Sequence, residues 1–220
     1  SPEGTGRIEG LMVRPAEAAG KLPAVLVIHE NRGLNAHIED VARRLATAGF
    51  RALAVDFLST SGGTPADEDR AREMIGQLDM EQVVADAMTA IAWLKESPGS
   101  NGKVGIIGFC WGGGVVGRVA TADPDLDAGV VFYGRTPPLD DVAAIQAPLL
   151  LHYAGLDERI NADVPAFEAA LQEAGKTYTK HVYEGAQHAF HNDTSEARYD
   201  EAAARLAWDR TVAFLREELA

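Results

Sequence analysis

The chain has 220 residues, of which 46% are hydrophobic and 24% charged, a composition typical of one globular domain with a substantial core. Its 33 acidic and 20 basic side chains give a formal net charge of −13, which argues against nucleic acid or an anionic membrane as the main partner. No apolar run approaches the roughly 20 residues that span a bilayer, and the single cysteine, Cys110, excludes an internal disulfide. These properties predict a soluble enzyme or small-molecule binder.

Short apolar runs alternate with longer amphipathic segments along the chain. In chain order, strands are predicted over residues 8–13, 24–29, 51–56, 103–108, 128–133, 149–153 and 178–183, and helices over residues 36–48, 80–95, 113–121, 164–174 and 195–219. Residues 59–65 predict a loop, followed by the start of a charged helix. Several strands consist almost wholly of Val, Ile, Leu and Ala, as in strands covered on both faces. The alternation predicts one α/β domain over residues 1–220, with helices on both faces of a mostly parallel sheet.

A nucleophile motif follows the predicted strand 103–108. Residues 108–112 read Gly-Phe-Cys-Trp-Gly, which is the G-x-S-x-G nucleophile elbow with cysteine in place of serine. The small residues Gly108 and Gly112 let a strained turn fit between strand and helix, and the amino end of the helix is expected to favour the Cys110 thiolate. The alternative is a buried, inert cysteine. The order strand, glycine, cysteine, glycine, helix favours the nucleophile, and the glycines do not form the G-x-G-x-x-G dinucleotide pattern.

A nucleophile elbow predicts an acid and then a histidine further along the chain. Asp157 follows the predicted strand 149–153, and His188 follows the predicted strand 178–183. Both come after the carboxyl end of a strand, where ligands bind in such sheets. His188 would accept the proton of the Cys110 thiol, and Asp157 would orient the imidazole ring.

The remaining histidines considered have weaker assignments. His152 lies inside a predicted strand and is expected to be packed, whereas His37 and His181 are interpreted as surface or packing residues. His191 is three residues beyond His188 and could line the pocket. Because the sequence has neither an H-E-x-x-H motif nor a cysteine pair, we predict no metal site and no other cofactor.

Five segments of the chain resemble the dienelactone hydrolase family of the α/β-hydrolase superfamily. They cover residues 29–35 (His-Glu-Asn-Arg-Gly-Leu-Asn), 79–81, 101–105, 108–113 and 185–190 (Gly-Ala-Gln-His-Ala-Phe). A cysteine elbow together with a glutamate after the second strand is more specific than the elbow alone. The resemblance implies an α/β-hydrolase fold and a Cys-His-Asp triad formed by Cys110, His188 and Asp157.

The resemblance also implies roles for residues that the pattern alone does not identify. Glu30 would hold the resting thiol and help to ionise it when substrate arrives. The backbone N–H groups of Asn31 and Trp111 would form the oxyanion hole. Arg72 matches one of two arginines that clamp the substrate carboxylate in the family, while the second position is occupied here by Asn192.

The leading functional hypothesis is a cofactor-free hydrolase of small-molecule esters or lactones that passes through a thioester acyl-enzyme. Because Asn192 is neutral, a neutral short-chain ester is expected to be preferred over dienelactone, unless Arg32 or Arg135 supplies the missing charge. The alternatives are a thioesterase or acyl-peptide hydrolase with the same triad, a peroxide-reactive thiol protein at Cys110, and an inactive binding module on the same fold.

The sequence leaves assembly and compartment open. A monomer or a homodimer is expected, with no nucleic acid or membrane partner. A cytoplasmic location is predicted, and because the chain begins at Ser1, a periplasmic location after removal of a leader is the alternative.

Overall fold

The computed structural model describes residues 1, 3–17 and 20–220 and contains a seven-stranded sheet. Its strands are β1 (Glu9–Val13), β2 (Leu22–Ile28), β3 (Arg51–Asp56), β4 (Ser100–Phe109), β5 (Ala128–Phe132), β6 (Leu149–Ala154) and β7 (Tyr178–Tyr183). The order across the sheet is β1-β3-β2-β4-β5-β6-β7. β1 is antiparallel to β3, and the other neighbouring pairs are parallel. The predicted α/β class and mostly parallel sheet are confirmed, with strand ends shifted by up to three residues.

Helices cover both faces of the sheet. They are α1 (Ala36–Thr47), α2 (Glu68–Gly76), α3 (Met80–Glu96), α4 (Trp111–Ala122), α5 (Glu158–Asn161), α6 (Val164–Glu173) and α7 (Glu201–Glu218), with short 3-10 turns at Ser59–Ser61 and Leu139–Ala144. The core on one face includes residues of α3, α4 and α6, and the core on the other includes residues of α1 and α7. In the described part of the chain, no helix is both long and apolar enough to cross a membrane.

The central strands are mostly apolar because each of their faces meets a helix layer. In β2, Leu26 packs into the core beneath α3 and α4, while its neighbours Val25 and Val27 pack into the core beneath α1. All three side chains are fully buried. Burial of a Val or Leu side chain stabilises the fold by about 1.5–3 kcal/mol, so substitutions on either face are costly.

Helix α2 is a complete helix, where the sequence predicted only a helix start. Its first turn is capped by the Asp67 carboxylate, which accepts hydrogen bonds from the N–H groups of Asp69 and Arg70. Only Ala71 and Ile75 are buried in this helix. Because only two residues form the apolar face, the sequence shows little helical periodicity here. The Asp67 cap defines where the helix begins.

The C-terminal helix was predicted to begin at Ser195, and this start was wrong. α7 begins at Glu201, where the Asp200 side chain accepts a hydrogen bond from the N–H of Ala203. Residues 196–198 form a turn instead. An Asp cap satisfies N–H groups that lack a partner in the first helical turn, and this local hydrogen bond fixes the start.

The carboxyl ends of the parallel strands form one edge of the sheet. Glu30 follows β2, Cys110 follows β4, Asp157 follows β6 and His188 follows β7. Polar residues on four separate loops therefore meet at this edge, although they are widely separated in sequence.

Candidate active site

Cys110 occupies the sharp turn between β4 and α4. Its backbone has φ 53° and ψ −112°, a region that residues with a side chain seldom adopt. A Cβ atom at Gly108 would lie 2.2 Å from the carbonyl oxygen of Gly112, and one at Gly112 would lie 2.5 Å from the carbonyl oxygen of His29. Neither position has room for a side chain, so both glycines are required for the turn. The predicted elbow geometry is therefore present.

The side chains of Cys110, His188 and Asp157 form a continuous hydrogen-bonded chain. The Cys110 Sγ lies 3.1 Å from His188 Nε2, and His188 Nδ1 donates to Asp157 Oδ2. The second oxygen of Asp157 accepts from the N–H of Ile160 at 3.3 Å, which caps α5. Asp157 is buried and the His188 side chain is partly exposed. The carboxylate thus fixes the imidazole tautomer with Nε2 free to accept a proton from sulfur.

The Cys110 thiol is protonated at neutral pH. Burial raises its pKa to about 11, with the negative charge of Glu30 as the next cause. The Trp111 backbone N–H and the Arg159 charge act in the opposite direction. The sequence predicted that the helix amino end would favour the thiolate, but desolvation outweighs this effect.

The Glu30 carboxylate is buried and held by neighbours other than the thiol. Asn192 Nδ2 donates to Glu30 Oε2 at 2.8 Å, and the Tyr133 hydroxyl donates to Oε1 at 3.4 Å. The resemblance implied that Glu30 holds the resting thiol, whereas the sulfur here faces His188. Glu30 is nevertheless close enough for its charge to raise the pKa of Cys110.

Asn192, predicted to contact substrate, has its amide engaged within the protein. Besides donating to Glu30, its Oδ1 accepts from the N–H of Thr194 at 3.0 Å and from the Thr194 hydroxyl at 2.7 Å. Asn192 is also buried. In this structure it positions Glu30, and its role in substrate binding stays a prediction.

Sequence reasoning missed Tyr133, which follows β5. Its φ of 40° is positive, its side chain is fully buried, and its ring centre lies 5.1 Å from that of His188. Its place after a central strand was the available signal, but nothing in the local sequence predicts the unusual backbone.

His29 is a second residue that sequence reasoning missed. Its Nδ1 donates to the Glu30 carbonyl at 2.6 Å, and its Nε2 accepts from the Phe57 N–H at 3.3 Å. The ring stacks on Trp111, with 5.3 Å between ring centres. His29 therefore links the Glu30 loop to the start of α4, and its position in the His-Glu-Asn segment was the only sequence signal.

Two cavities meet at Cys110. The larger, about 540 Å³, is lined by Asn31, Met80, Cys110, Trp111, Gly114, Arg118, Tyr133, Arg135, Thr136, Arg159, Ile160, Asp163 and His188. The smaller, about 170 Å³, is lined by Glu30, Asn31, Arg32, Arg72, Cys110, Arg159, His188, Ala189, Asn192, Ser195 and Arg198. The predicted catalytic, oxyanion-hole and substrate-binding residues thus line one or both of these adjoining cavities. The exception is Asp157, which lines neither cavity and contacts Nδ1 of His188.

Arg72, predicted to bind substrate, lines the smaller cavity, but its guanidinium also forms a salt bridge within the protein. It pairs with Asp69 at 2.8 Å on the same helix. Arg32, Arg159 and Arg198 line the same cavity, so positive charge is present there despite the neutral Asn192. Within residues 1, 3–17 and 20–220, no three His, Cys, Asp or Glu side chains are grouped so that they could hold a metal ion.

His191 lies outside both cavities. It is buried, with its ring centre 5.2 Å from Phe109 and 5.0 Å from Phe132. The suggestion that it lines the pocket was therefore wrong, because its side chain points into an aromatic cluster. The prediction that His152 is packed is confirmed, since its ring nitrogens contact the hydroxyls of Tyr183 and Thr211.

Comparison with known proteins identifies relatives along nearly the whole chain. Residues 8–219 match the dienelactone hydrolase family. A putative carboxymethylenebutenolidase of Methylorubrum extorquens is 33% identical over 98% of this chain and 79% of its own length. A probable 2-oxo-3-(5-oxofuran-2-ylidene)propanoate lactonase of a Bradyrhizobium species is 35% identical over 94% of this chain and 88% of its own length.

A solved structure agrees with these matches. The crystal structure of a putative dienelactone hydrolase from Klebsiella pneumoniae superposes with a TM-score of 0.85 and 31% identity, covering 94% of this chain and 91% of that one. The sequence match, the relatives and the shared fold all lead to one assignment. The chain belongs to the dienelactone hydrolase family and is an ester or lactone hydrolase of that type.

Proposed function

We propose that the chain hydrolyses small carboxylic esters or lactones without a cofactor, using Cys110 as nucleophile, His188 as base and Asp157 as orienting acid. One observation carries this proposal: Sγ lies 3.1 Å from an imidazole nitrogen whose opposite nitrogen donates to a buried carboxylate. That arrangement is what nucleophile activation requires. The name of the Bradyrhizobium relative, a lactonase, supports a lactone among the substrates.

In the acylation step, Cys110 Sγ attacks the carbonyl carbon while its proton passes to His188 Nε2. The negative charge that forms on the carbonyl oxygen is assigned to the backbone N–H groups of Asn31 and Trp111, which border the cavity. The C–O bond then breaks, and the departing alkoxide takes the proton from Nε2. The products are an alcohol and a thioester on Cys110; from a lactone, the alcohol stays attached to the acyl group.

In the deacylation step, water donates a proton to His188 Nε2 as its oxygen attacks the thioester carbonyl. The tetrahedral intermediate collapses, the C–S bond breaks, and Sγ recovers the proton from His188. The carboxylic acid leaves and the resting thiol is restored. Asp157 stabilises the imidazolium that forms in each step.

The high thiol pKa makes proton transfer central to this mechanism. At a pKa of about 11, very little Cys110 is ionised near neutral pH, so the nucleophile must be generated when substrate is bound. Glu30 is assigned a supporting role, because its negative charge favours both a protonated thiol at rest and a cationic imidazole afterwards. A mostly neutral thiol also argues against the peroxide-reactive alternative.

Rapid quenching after mixing with p-nitrophenyl acetate tests the proposal. Mass spectrometry is expected to find an acetyl group on Cys110 in the wild type, together with a burst of p-nitrophenol. Cys110→Ala is expected to lose both the adduct and turnover, while circular dichroism checks that it folds. Undiminished ester hydrolysis by a folded Cys110→Ala would overturn the proposal.

A further inference from the structure

Two cavities of unequal size meet at the proposed nucleophile. The larger is about 540 Å³ and the smaller about 170 Å³, and Asn31, Cys110 and His188 line both. An ester has two parts, the acyl group and the alcohol, which lie on opposite sides of the carbonyl group that Cys110 attacks. Pockets of roughly 300–1,000 Å³ hold drug-sized ligands, so an acetyl group would leave most of the larger cavity empty. The two volumes therefore favour a substrate with one large and one small part.

The lining of the larger cavity suits an uncharged, apolar group. Its charged side chains are exposed to solvent. Apolar surface comes from four side chains that are buried or partly buried: Met80, Trp111, Tyr133 and Ile160. The hydroxyl of Tyr133 already donates to Glu30. An alkyl or aryl group in this cavity would be removed from water against these four side chains, and burial of apolar surface favours binding.

Gly114 lies in the wall of the larger cavity, one helical turn beyond the proposed nucleophile. Its N–H donates to the Cys110 carbonyl at 3.3 Å at the start of α4. The three atoms nearest to a Cβ atom at this position, all of Arg135, would lie 3.8 Å away, which is an ordinary contact. A Cβ atom at Gly113 would instead lie 2.8 Å from Gly134 Cα. Packing therefore requires a glycine at position 113 but not at position 114.

The backbone does not require a glycine at position 114 either. The φ of Gly114 is not positive, so other residues can adopt the same conformation, and glycine is less favourable than alanine inside a helix. What distinguishes Gly114 is the space beside it, because Arg135, the neighbour that a Cβ atom would meet, lines the same cavity. A longer side chain at position 114 would therefore extend into the cavity next to Cys110 and reduce its volume.

We propose that the larger cavity binds a large, uncharged apolar part of the substrate, such as a hexyl chain or a phenyl ring, and that Gly114 determines the size of group that it accepts. This inference rests on the proposed function and names the substrate class of the same site. The smaller cavity then receives the smaller part of the ester. Because each buried methylene group changes a binding constant by about 3- to 4-fold, such a cavity distinguishes esters by chain length.

Two series of uncharged esters test which part of the substrate the larger cavity binds. Ethyl acetate, butyrate and hexanoate lengthen the acyl group, whereas ethyl, butyl and hexyl acetate lengthen the alcohol. Titration of the released acid at constant pH measures kcat/KM for each ester. In wild type, kcat/KM is expected to rise at least about 10-fold from the shortest to the longest ester of one series, because the added methylene groups are buried in the larger cavity.

Variants of Gly114 test its role in this preference. Gly114→Leu is expected to lower the ratio of kcat/KM for the longest ester to that for ethyl acetate at least about 10-fold, because the leucine side chain fills the space of the added methylene groups. Gly114→Ala is expected to lower the ratio by a smaller factor. Ala122→Leu, at an exposed position at the end of the same helix, leaves the ratio unchanged. Circular dichroism checks that each variant folds, and Gly114→Ala, whose Cβ atom has room, carries the test if Gly114→Leu does not fold.

Two results would overturn the proposal. One is a kcat/KM in wild type that does not rise with chain length in either series. The other is a chain-length ratio in the folded Gly114 variants that equals the ratio in wild type. Failure of the proposed function is distinct, because hydrolysis would then persist in Cys110→Ala for esters of every length.

Discussion

Cys110 combines a strained backbone with a thiol that burial keeps protonated. Its φ of 53° directs the side chain out of the sheet edge, and its pKa of about 11 keeps the resting sulfur neutral. The positive φ and the absence of space at Gly108 and Gly112 show that the elbow is fixed by backbone packing. Reactivity at this residue is therefore set by its neighbours and not by intrinsic acidity.

At the residue scale, Glu30→Gln is expected to lower the pKa of Cys110. The amide retains an oxygen acceptor for Asn192 but removes the negative charge that opposes thiolate formation. The decrease should be on the order of one pKa unit. Alkylation rates with iodoacetamide from pH 7 to 11.5 measure the pKa, and Glu217→Gln, exposed on α7, is the control. An unchanged or higher pKa in Glu30→Gln would show that the Glu30 charge does not act on the sulfur.

A second residue-scale prediction separates two neighbouring histidines. His188→Ala is expected to reduce kcat/KM on the order of 10³-fold, because no other base contacts Sγ among the described residues. Asp157→Asn should be severe but incomplete. His191→Phe should stay within a few-fold of wild type, since His191 lies among aromatic rings away from both cavities. Steady-state kinetics with p-nitrophenyl acetate measure kcat/KM for each variant. A large loss in His191→Phe together with a small loss in His188→Ala would identify His191 as the base.

At the element scale, α4 has to serve two purposes at once. Its amino end follows Cys110, the proposed nucleophile, and its glycines leave room for the backbone of the segment after β5. Gly113 is required by packing, because a Cβ there would lie 2.8 Å from Gly134 Cα and 2.9 Å from the Phe132 carbonyl oxygen. Gly114 has no such constraint, because the three atoms nearest to a Cβ atom there, all of Arg135, would lie 3.8 Å away. Glycine inside a helix costs about 0.5–1 kcal/mol relative to alanine, so Gly114 lowers stability without a packing benefit.

Gly114→Ala is therefore expected to raise the free energy of unfolding by about 0.5–1 kcal/mol. The matched variant Gly113→Ala should lower it, because the added methyl group meets backbone atoms that cannot move aside. Urea unfolding followed by circular dichroism measures both. If Gly114→Ala loses as much stability as Gly113→Ala, the space seen at position 114 does not exist in solution.

The elements themselves differ in how far the sequence could predict them. β2, β4, β5 and β6 were predictable because burial on both faces requires a mostly apolar run. α2 was only partly predictable because two buried residues, Ala71 and Ile75, carry its apolar face. The start of α7 depends on one side-chain cap at Asp200, which a periodic pattern does not reveal.

In the candidate site too, residues identified by a sequence motif were predictable, whereas residues whose contacts depend on tertiary packing were not. The contacts among Cys110, Asp157 and His188 were predictable because a nucleophile elbow predicts an acid and a histidine in that order along the chain, while their catalytic roles stay a proposal. Tyr133 and His29 were not, because their contacts to Glu30 and Trp111 depend on how separate loops pack. The orientation of Glu30 could not be predicted either, because Asn192, which donates a hydrogen bond to its carboxylate, lies 162 residues away in sequence.

At the scale of the whole molecule, buried histidines couple stability to pH. His29, His152 and His191 are buried, and desolvation lowers the pKa of each from its usual value of 6.5. The unfolded chain therefore binds protons below pH 6.5 that the folded chain does not. Stability from these groups is fully present above pH 6.5 and is lost as the pH falls toward the folded pKa values.

His191 offers the clearest test, because its pKa is lowered to about 3 by burial and then by the charges of His37 and Arg44, against an opposing effect of Asp193. Between pH 6.5 and 4, this residue alone should contribute a slope of up to about 1.4 kcal/mol per pH unit to the free energy of unfolding. His191→Phe fits a site already bordered by Phe109 and Phe132, and it removes the titrating group. Urea unfolding of both proteins at intervals from pH 4.5 to 8 measures the slopes. The variant is expected to lose stability less steeply below pH 6.5, with the difference largest at the acid end. Parallel curves for the two proteins would mean that His191 is protonated equally in the folded and unfolded chains.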